Sequence, residues 1–153
     1  MVFIAGVFIW REFSFYKDFD EVIEPQVNEE SDILYAQVNV YDTEDIPERI
    51  KSLRIDNEEE ILEILDHFAH LELKKDPDAR LPFGGVTLSI ATSNPTGEDY
   101  IQTDSFDIRI GEDYMAINSV GDRNSGYYEI LNDESNHMEF LEAFDEEDWE
   151  YDQ

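Results

Sequence analysis

Four β-rich stretches separated by turn-forming residues constrain this 153-residue chain more than any other feature. VTLSIATS runs into Asn94-Pro95-Thr96-Gly97, where proline at the second position and glycine at the fourth read as a tight turn. SFDIRI then reaches Gly111-Glu112-Asp113, YMAINSV reaches Gly121-Asp122-Arg123-Asn124, and YYEIL follows. Strands joined by such short connections must reverse direction, so the pattern predicts an antiparallel meander. Upstream, DILYAQVNVYD alternates and predicts a half-buried strand with Leu34, Ala36, Val38 and Val40 facing inward. Val2 to Tyr16 is dominated by β-branched and aromatic residues and predicts a first strand.

One segment has a different period. In DNEEEILEILDHFAHLEL, Ile61, Ile64, Leu65, Phe68 and Leu71 recur at helical spacing and form one apolar stripe. Asp56 or Asn57 can cap this helix, and Glu58, Glu59 and Glu60 suit the positive end of its macrodipole. Pro77 ends the segment, and Pro25 stops any helix begun at Asp18. A short helix is expected over 135–144, capped by Ser135, with Met138, Leu141 and Phe144 on one side. The expected class is α+β: an antiparallel sheet of five or six strands, one main helix packed on a face, a short C-terminal helix and an acidic tail. Residues 1–144 are expected to form a single domain, with residues 145–153 as an acidic-aromatic tail that can be removed without unfolding it.

Charge limits what such a fold can do. There are 39 acidic residues against 10 basic ones, a net charge of −29, so direct nucleic-acid binding is disfavoured by repulsion from phosphates. Solubility asks for a net charge of only about 2–8 in a small domain. Salt adaptation thins out bulky aliphatics, whereas this chain is rich in Ile, Phe and Asn. A strongly basic partner remains as the reward for so much self-repulsion. Without cysteine there is no disulfide, thiolate metal site or thiol nucleophile, which fits a reducing compartment. MVFIAGVFIW has no basic residue before its apolar run and is far short of the ~20 residues that span a bilayer, so a cytoplasmic location is expected.

Catalytic and metal patterns do not stand out. Glu63, His67 and His70 share a helix face, yet that face lies opposite the apolar stripe, where a solvated polar surface explains them; no metal and no cofactor are expected. An EF-hand loop begun at Asp122 needs glycine at position six and glutamate at position twelve, where Tyr127 and Asp133 stand, so this stretch reads as a hairpin turn. There is no G-x-S-x-G elbow and no glycine-rich phosphate loop leading into a helix. With so many carboxylates, some pair satisfies any spacing, so a carboxylate pair identifies nothing. The chain reads as a non-enzyme.

The end of the chain, FDEEDWEYDQ, carries the candidate site. No lysine or arginine follows Arg123, and the carboxylates alternate with aromatics that are costly to leave in water. Asp145, Glu146, Glu147, Asp148 and Glu150 are expected to pair with Lys and Arg of a partner, with Trp149 and Tyr151 as desolvated anchors. Glu112 and Asp113 on the hairpin form a secondary contact.

The stretch DSFDIRIGEDYMAINSVGDRNSGYYEI, preceded by the acidic-capped helix DNEEEILEILDHF, resembles the core of immunity proteins from bacterial polymorphic toxin systems, especially a family paired with nuclease and deaminase toxins. The resemblance covers residues 56–131 and rests on the order of helix, strand and Gly-Glu-Asp hairpin. It implies a stoichiometric inhibitor that plugs the basic cleft of a cognate toxin. The charge also fits phage or plasmid proteins that mimic DNA to block restriction or CRISPR machinery, and an acidic adaptor for a basic protein.

Overall fold

Ten consecutive residue pairs, from Val86↔Ile110 to Pro95↔Ile101, join the two longest neighbouring strands. The computed structural model describes residues 15–42, 46–80, 84–96, 100–119, 122–132, 137–144 and 148–152. Its elements in chain order are β1 (Tyr16–Asp18), α1 (Phe19–Ile23), β2 (Asp32–Tyr41), β3 (Arg49–Ile55), α2 (Glu58–Phe68), β4 (Glu72–Lys75), β5 (Gly85–Pro95), β6 (Ile101–Ile110), β7 (Tyr114–Ser119), β8 (Gly126–Ile130), α3 (His137–Glu142) and β9 (Glu150–Tyr151). All nine strands share one antiparallel sheet in the order β1-β4-β8-β7-β6-β5-β2-β3-β9.

The fold is therefore α+β, as expected, but with nine strands instead of five or six and three helices among the described residues instead of one main helix and a short one. The β5–β8 meander matches the expectation. The additional strands are short or polar, and their pairing is set by distant partners. Most of the first expected strand, Val2 to Tyr16, lies outside the described residues; its last residue, Tyr16, opens β1.

Cross-strand pairing lines up the core. Val40, Val86, Ile110, Met115 and Tyr128 fall in one row, and Leu53, Val38, Leu88, Ile108 and Ile117 in another. All ten are buried, and they join Ile61, Ile64, Leu65 and Phe68 of α2 in one apolar cluster. The opposite face of the same strands is polar, with Gln37, Ser89, Asp107 and Asn118 in register. That is the two-fold alternation of a sheet with one face on the core.

Three local readings are corrected. Leu34 is 43% exposed, because the β2–β5 register shifts between Ile33 and Tyr35. A bulge inserts Leu34 unpaired and hands its inward place to Ile33, which packs on the core. The helix read as running to Leu73 stops at Phe68. Leu71 is still fully buried, but on the connection, and Leu73 belongs to β4. Asn57, not Asp56, caps α2, its side chain accepting from the Glu59 amide at 2.9 Å. β5 also runs through Pro95, so the reversal falls after Thr96, whose amide donates to the Tyr100 carbonyl at 2.8 Å. Pro95 sits at the strand's last pair, where a missing N–H is tolerated.

Candidate partner-binding surface

Of the C-terminal candidates, Glu150 and Tyr151 pair with a strand that sequence reading did not assign. RIKSLRI forms β3, burying Leu53 and Ile55 on the core side, and it brings Arg49, Lys51 and Arg54 to one edge of the sheet. β9 pairs with it through Lys51↔Tyr151 and Ser52↔Glu150, and the Asp152 amide donates to the Ile50 carbonyl at 3.1 Å. The Arg49 guanidinium donates to both carboxylate oxygens of Asp152, at 2.5 and 3.1 Å. This fork holds the Asp152 carboxyl below its usual range and Arg49 above its own.

Trp149 is the largest correction. Expected as an anchor for a partner, it is 6% exposed and belongs to the apolar core. Its Nε1–H donates to the Phe144 carbonyl at 3.2 Å, and Lys51 Nζ lies 4.1 Å from its ring centroid. The indole is thus desolvated and satisfied within its own chain. Glu150 and Tyr151 are part of the sheet and not a tail beyond it. Asp148, Glu150 and Tyr151 remain exposed. Asp145, Glu146 and Glu147 lie outside the described residues.

Glu112 and Asp113 are exposed in the β6–β7 turn. Ile110, just before that turn, shares a cross-sheet row with Tyr151 through Val86, Val40 and Lys51. Both groups therefore lie toward the same end of the sheet, four strand spacings or about 19 Å apart. They belong to one end of the molecule but not to one cluster. Beside this turn the Tyr114 hydroxyl is pushed above its usual range, first by burial and then by the Glu129 and Asp76 carboxylates.

The histidines also differ from expectation. His67 is half-buried, not solvent-facing, and stacks on Phe140 with ring centroids 3.6 Å apart. Its Nε2 lies 3.2 Å from Nδ1 of His137, itself 2% exposed. His70 and Glu63 are exposed. Among the described residues no group of three or more His, Asp or Glu is placed to hold a metal ion. Asp122 and Asn124 form the expected hairpin turn between β7 and β8, the Asn124 amide donating to Asp122 Oδ1 at 2.8 Å. The buried Tyr128 hydroxyl donates to the Asn124 carbonyl, and burial, with Asp122 adding, pushes it up to about 12.

Arg49 on Asp152 and Lys51 on the Trp149 ring are the supporting contacts of the candidate site that the sequence reading missed; Arg54, on the same strand, pairs with Asp56. The available signal was three cations within six residues in a chain with ten, flanked by Ile and Leu. No helix among the described residues is long and apolar enough to cross a membrane. Comparison with known proteins finds no matching family model, no matching curated protein and no matching solved structure.

Proposed function

We propose that this chain is a non-enzymatic acidic inhibitor that binds and occludes the cationic nucleic-acid-binding or active site of a partner protein in the cytoplasm. Its best counterpart is an immunity protein for a nuclease or deaminase toxin. The observation that carries the reading is charge that the fold cannot neutralise. If each of the 10 cations paired with one carboxylate, 39 − 10 = 29 carboxylates would still be left. Several cations are already engaged internally, as with Arg49 on Asp152 and Arg54 on Asp56. A field of that strength steers association with a cationic surface and repels phosphates.

Asp148, Glu150 and Tyr151 at the sheet edge and Glu112 and Asp113 at the β6–β7 turn supply charged contacts at one end. Asp145, Glu146 and Glu147 extend that set along the sequence. Trp149 serves the site indirectly, by fixing the strand that presents its neighbours. The DNA-mimic reading has one observation of its own: exposed carboxylates also occur outside these two groups, at Asp107 on the polar sheet face and at Glu58, Glu59 and Glu60 on α2. Arrayed carboxylates can imitate a duplex bearing about one charge per 1.7 Å.

The test is to capture basic proteins on the full chain, purify each, and titrate its nuclease or deaminase activity with this protein. One partner silenced at a single equivalent and retained at high salt supports the immunity reading. Several DNA-binding proteins, all released by salt, support mimicry. Captured proteins that keep full activity at excess inhibitor overturn both.

A further inference from the structure

We infer that the groove between α1 and α2 docks a basic amphipathic helix of the partner, and so supplies the apolar contact that the C-terminal strand, with Trp149 buried, does not. The inference rests on the cationic-partner reading above and says where that partner's apolar side chains go. The start of α1 meets the end of α2: the Phe19 and Phe68 ring centroids are 5.6 Å apart, and the Phe19 amide donates to the carbonyl of Leu71, just past α2, at 3.0 Å. Between α2 and the α1 segment continuing to Glu29 runs an open groove of about 970 Å³.

The groove has an apolar floor and an acidic rim. Ile23, Val27, Leu62, Leu65 and Ala69 supply the floor. Leu62 stands off the stripe that packs α2 on the sheet and is 46% exposed. A helix whose only task was to cover the sheet would place a polar residue there. Asp20, Glu21, Glu24, Glu29 and Asp66, with neutral Asn28 among them, form the rim, and among the described residues no Lys, Arg or His lines the groove.

Apolar floor and acidic rim together specify the occupant. A ligand with only apolar groups would leave five carboxylates facing it, and a purely polar cation would leave Leu62 and Val27 in water. A helix with an apolar stripe flanked by Lys and Arg satisfies both, with apolar anchors at i, i+3 and i+4. The α2 flank from Leu62 to Ala69 is about 10 Å long, which accommodates about two turns of such a helix.

The test uses two fluorescent peptides of about 18 residues and equal positive charge, one with leucines at helical spacing, the other with those leucines replaced by glutamine. Anisotropy against the full chain is expected to show the amphipathic peptide binding about tenfold tighter or more, the equivalent of burying one leucine. Leu62→Gln, which changes no charge at an exposed position, is expected to remove that advantage and leave the polar peptide's affinity unchanged. Amide shifts on peptide addition should concentrate in residues 20–29 and 62–69. Equal binding of both peptides, unaffected by Leu62→Gln, overturns the groove while leaving the cationic-partner reading standing. So does an advantage that survives Leu62→Gln but is lost in Tyr151→Ser, which places the apolar contact on β9. Failure of both peptides to bind even at low salt overturns the groove and the cationic-partner reading together.

Discussion

The two edges of the sheet are closed in the same manner and held by different forces. Each ends in a very short strand, three residues in β1 and two in β9, beside one buried aromatic: Phe19 follows β1 and Trp149 precedes β9. Short, charged edge strands leave little template for pairing with another chain. At the β1 edge, backbone bonds to the β4 segment fix the strand at both ends, from Phe19 N–H to the Leu71 carbonyl at 3.0 Å and from Lys75 N–H to the Phe15 carbonyl at 2.7 Å. At the β9 edge, a two-residue ladder is supported by one indole and an exposed Arg49–Asp152 pair. The first edge depends on packing, which salt and pH barely touch. The second depends partly on a screened charge pair. In a protein this acidic, the edge that presents the C-terminal carboxylates is thus the one that conditions can loosen.

Removing the two aromatics breaks the comparison most severely. Phe19→Ala leaves a hole in a fully buried site against Phe68 and is expected to cost about 3–5 kcal/mol, seen as a lower denaturant midpoint for the whole chain. Trp149→Ala is expected to cost about 3 kcal/mol, at the low end because an edge can relax. Its signature is local: the Asp152 amide, bonded to the Ile50 carbonyl, loses exchange protection while the amides of β5 and β6 keep theirs. A Trp149→Ala protein that loses protection everywhere would show the two edges to be equivalent.

Gly126 sharpens the contrast at a smaller scale. It lies at φ 150°, and a Cβ there would meet Lys75 Cε at 3.0 Å. Lys75 has little room to retreat, since its Nζ donates to the Arg123 carbonyl at 2.8 Å and partial burial already lowers its pKa. Gly126→Ala is expected to destabilise by about 1–2 kcal/mol in thermal unfolding, without changing β9 protection.

The smallest effect is the most diagnostic. Asp152 titrates below its ordinary value, chiefly through its hydrogen bond to Arg49, so its contribution is complete above the usual aspartate range and is lost as pH falls through the depressed value. In a Trp10→Phe background, which leaves Trp149 as the sole indole, its fluorescence should shift toward that of exposed tryptophan over this acid window. Asp152→Asn should show the shifted emission already at neutral pH and remove this acid transition, and high salt should reproduce part of the change. A fluorescence profile indifferent to Asp152→Asn would mean that the indole alone holds β9.

Periodicity along the chain was enough for the meander, the stripe of α2 and the inward face of β2 from Ala36 to Val40, because these depend on local spacing and short reversals. Charge excess is a property of composition and needs no fold, and it is what the proposal of a basic partner rests on. The place of β3 between β2 and β9 was not available from local pattern. RIKSLRI leaves Ile50 45% exposed while burying Leu53 and Ile55, so its alternation shows only against its partners. The bulge at Leu34 inverts a face for the same reason, since register is settled between strands and not within one. Trp149 marks the boundary. Its sequence neighbours Asp148 and Glu150 suggest a solvated tail, but whether an indole faces a partner or its own sheet depends on whether an apolar site lies within reach, and only the fold, which brings Lys51 of β3 and the Phe144 carbonyl to it at the core's margin, creates that site.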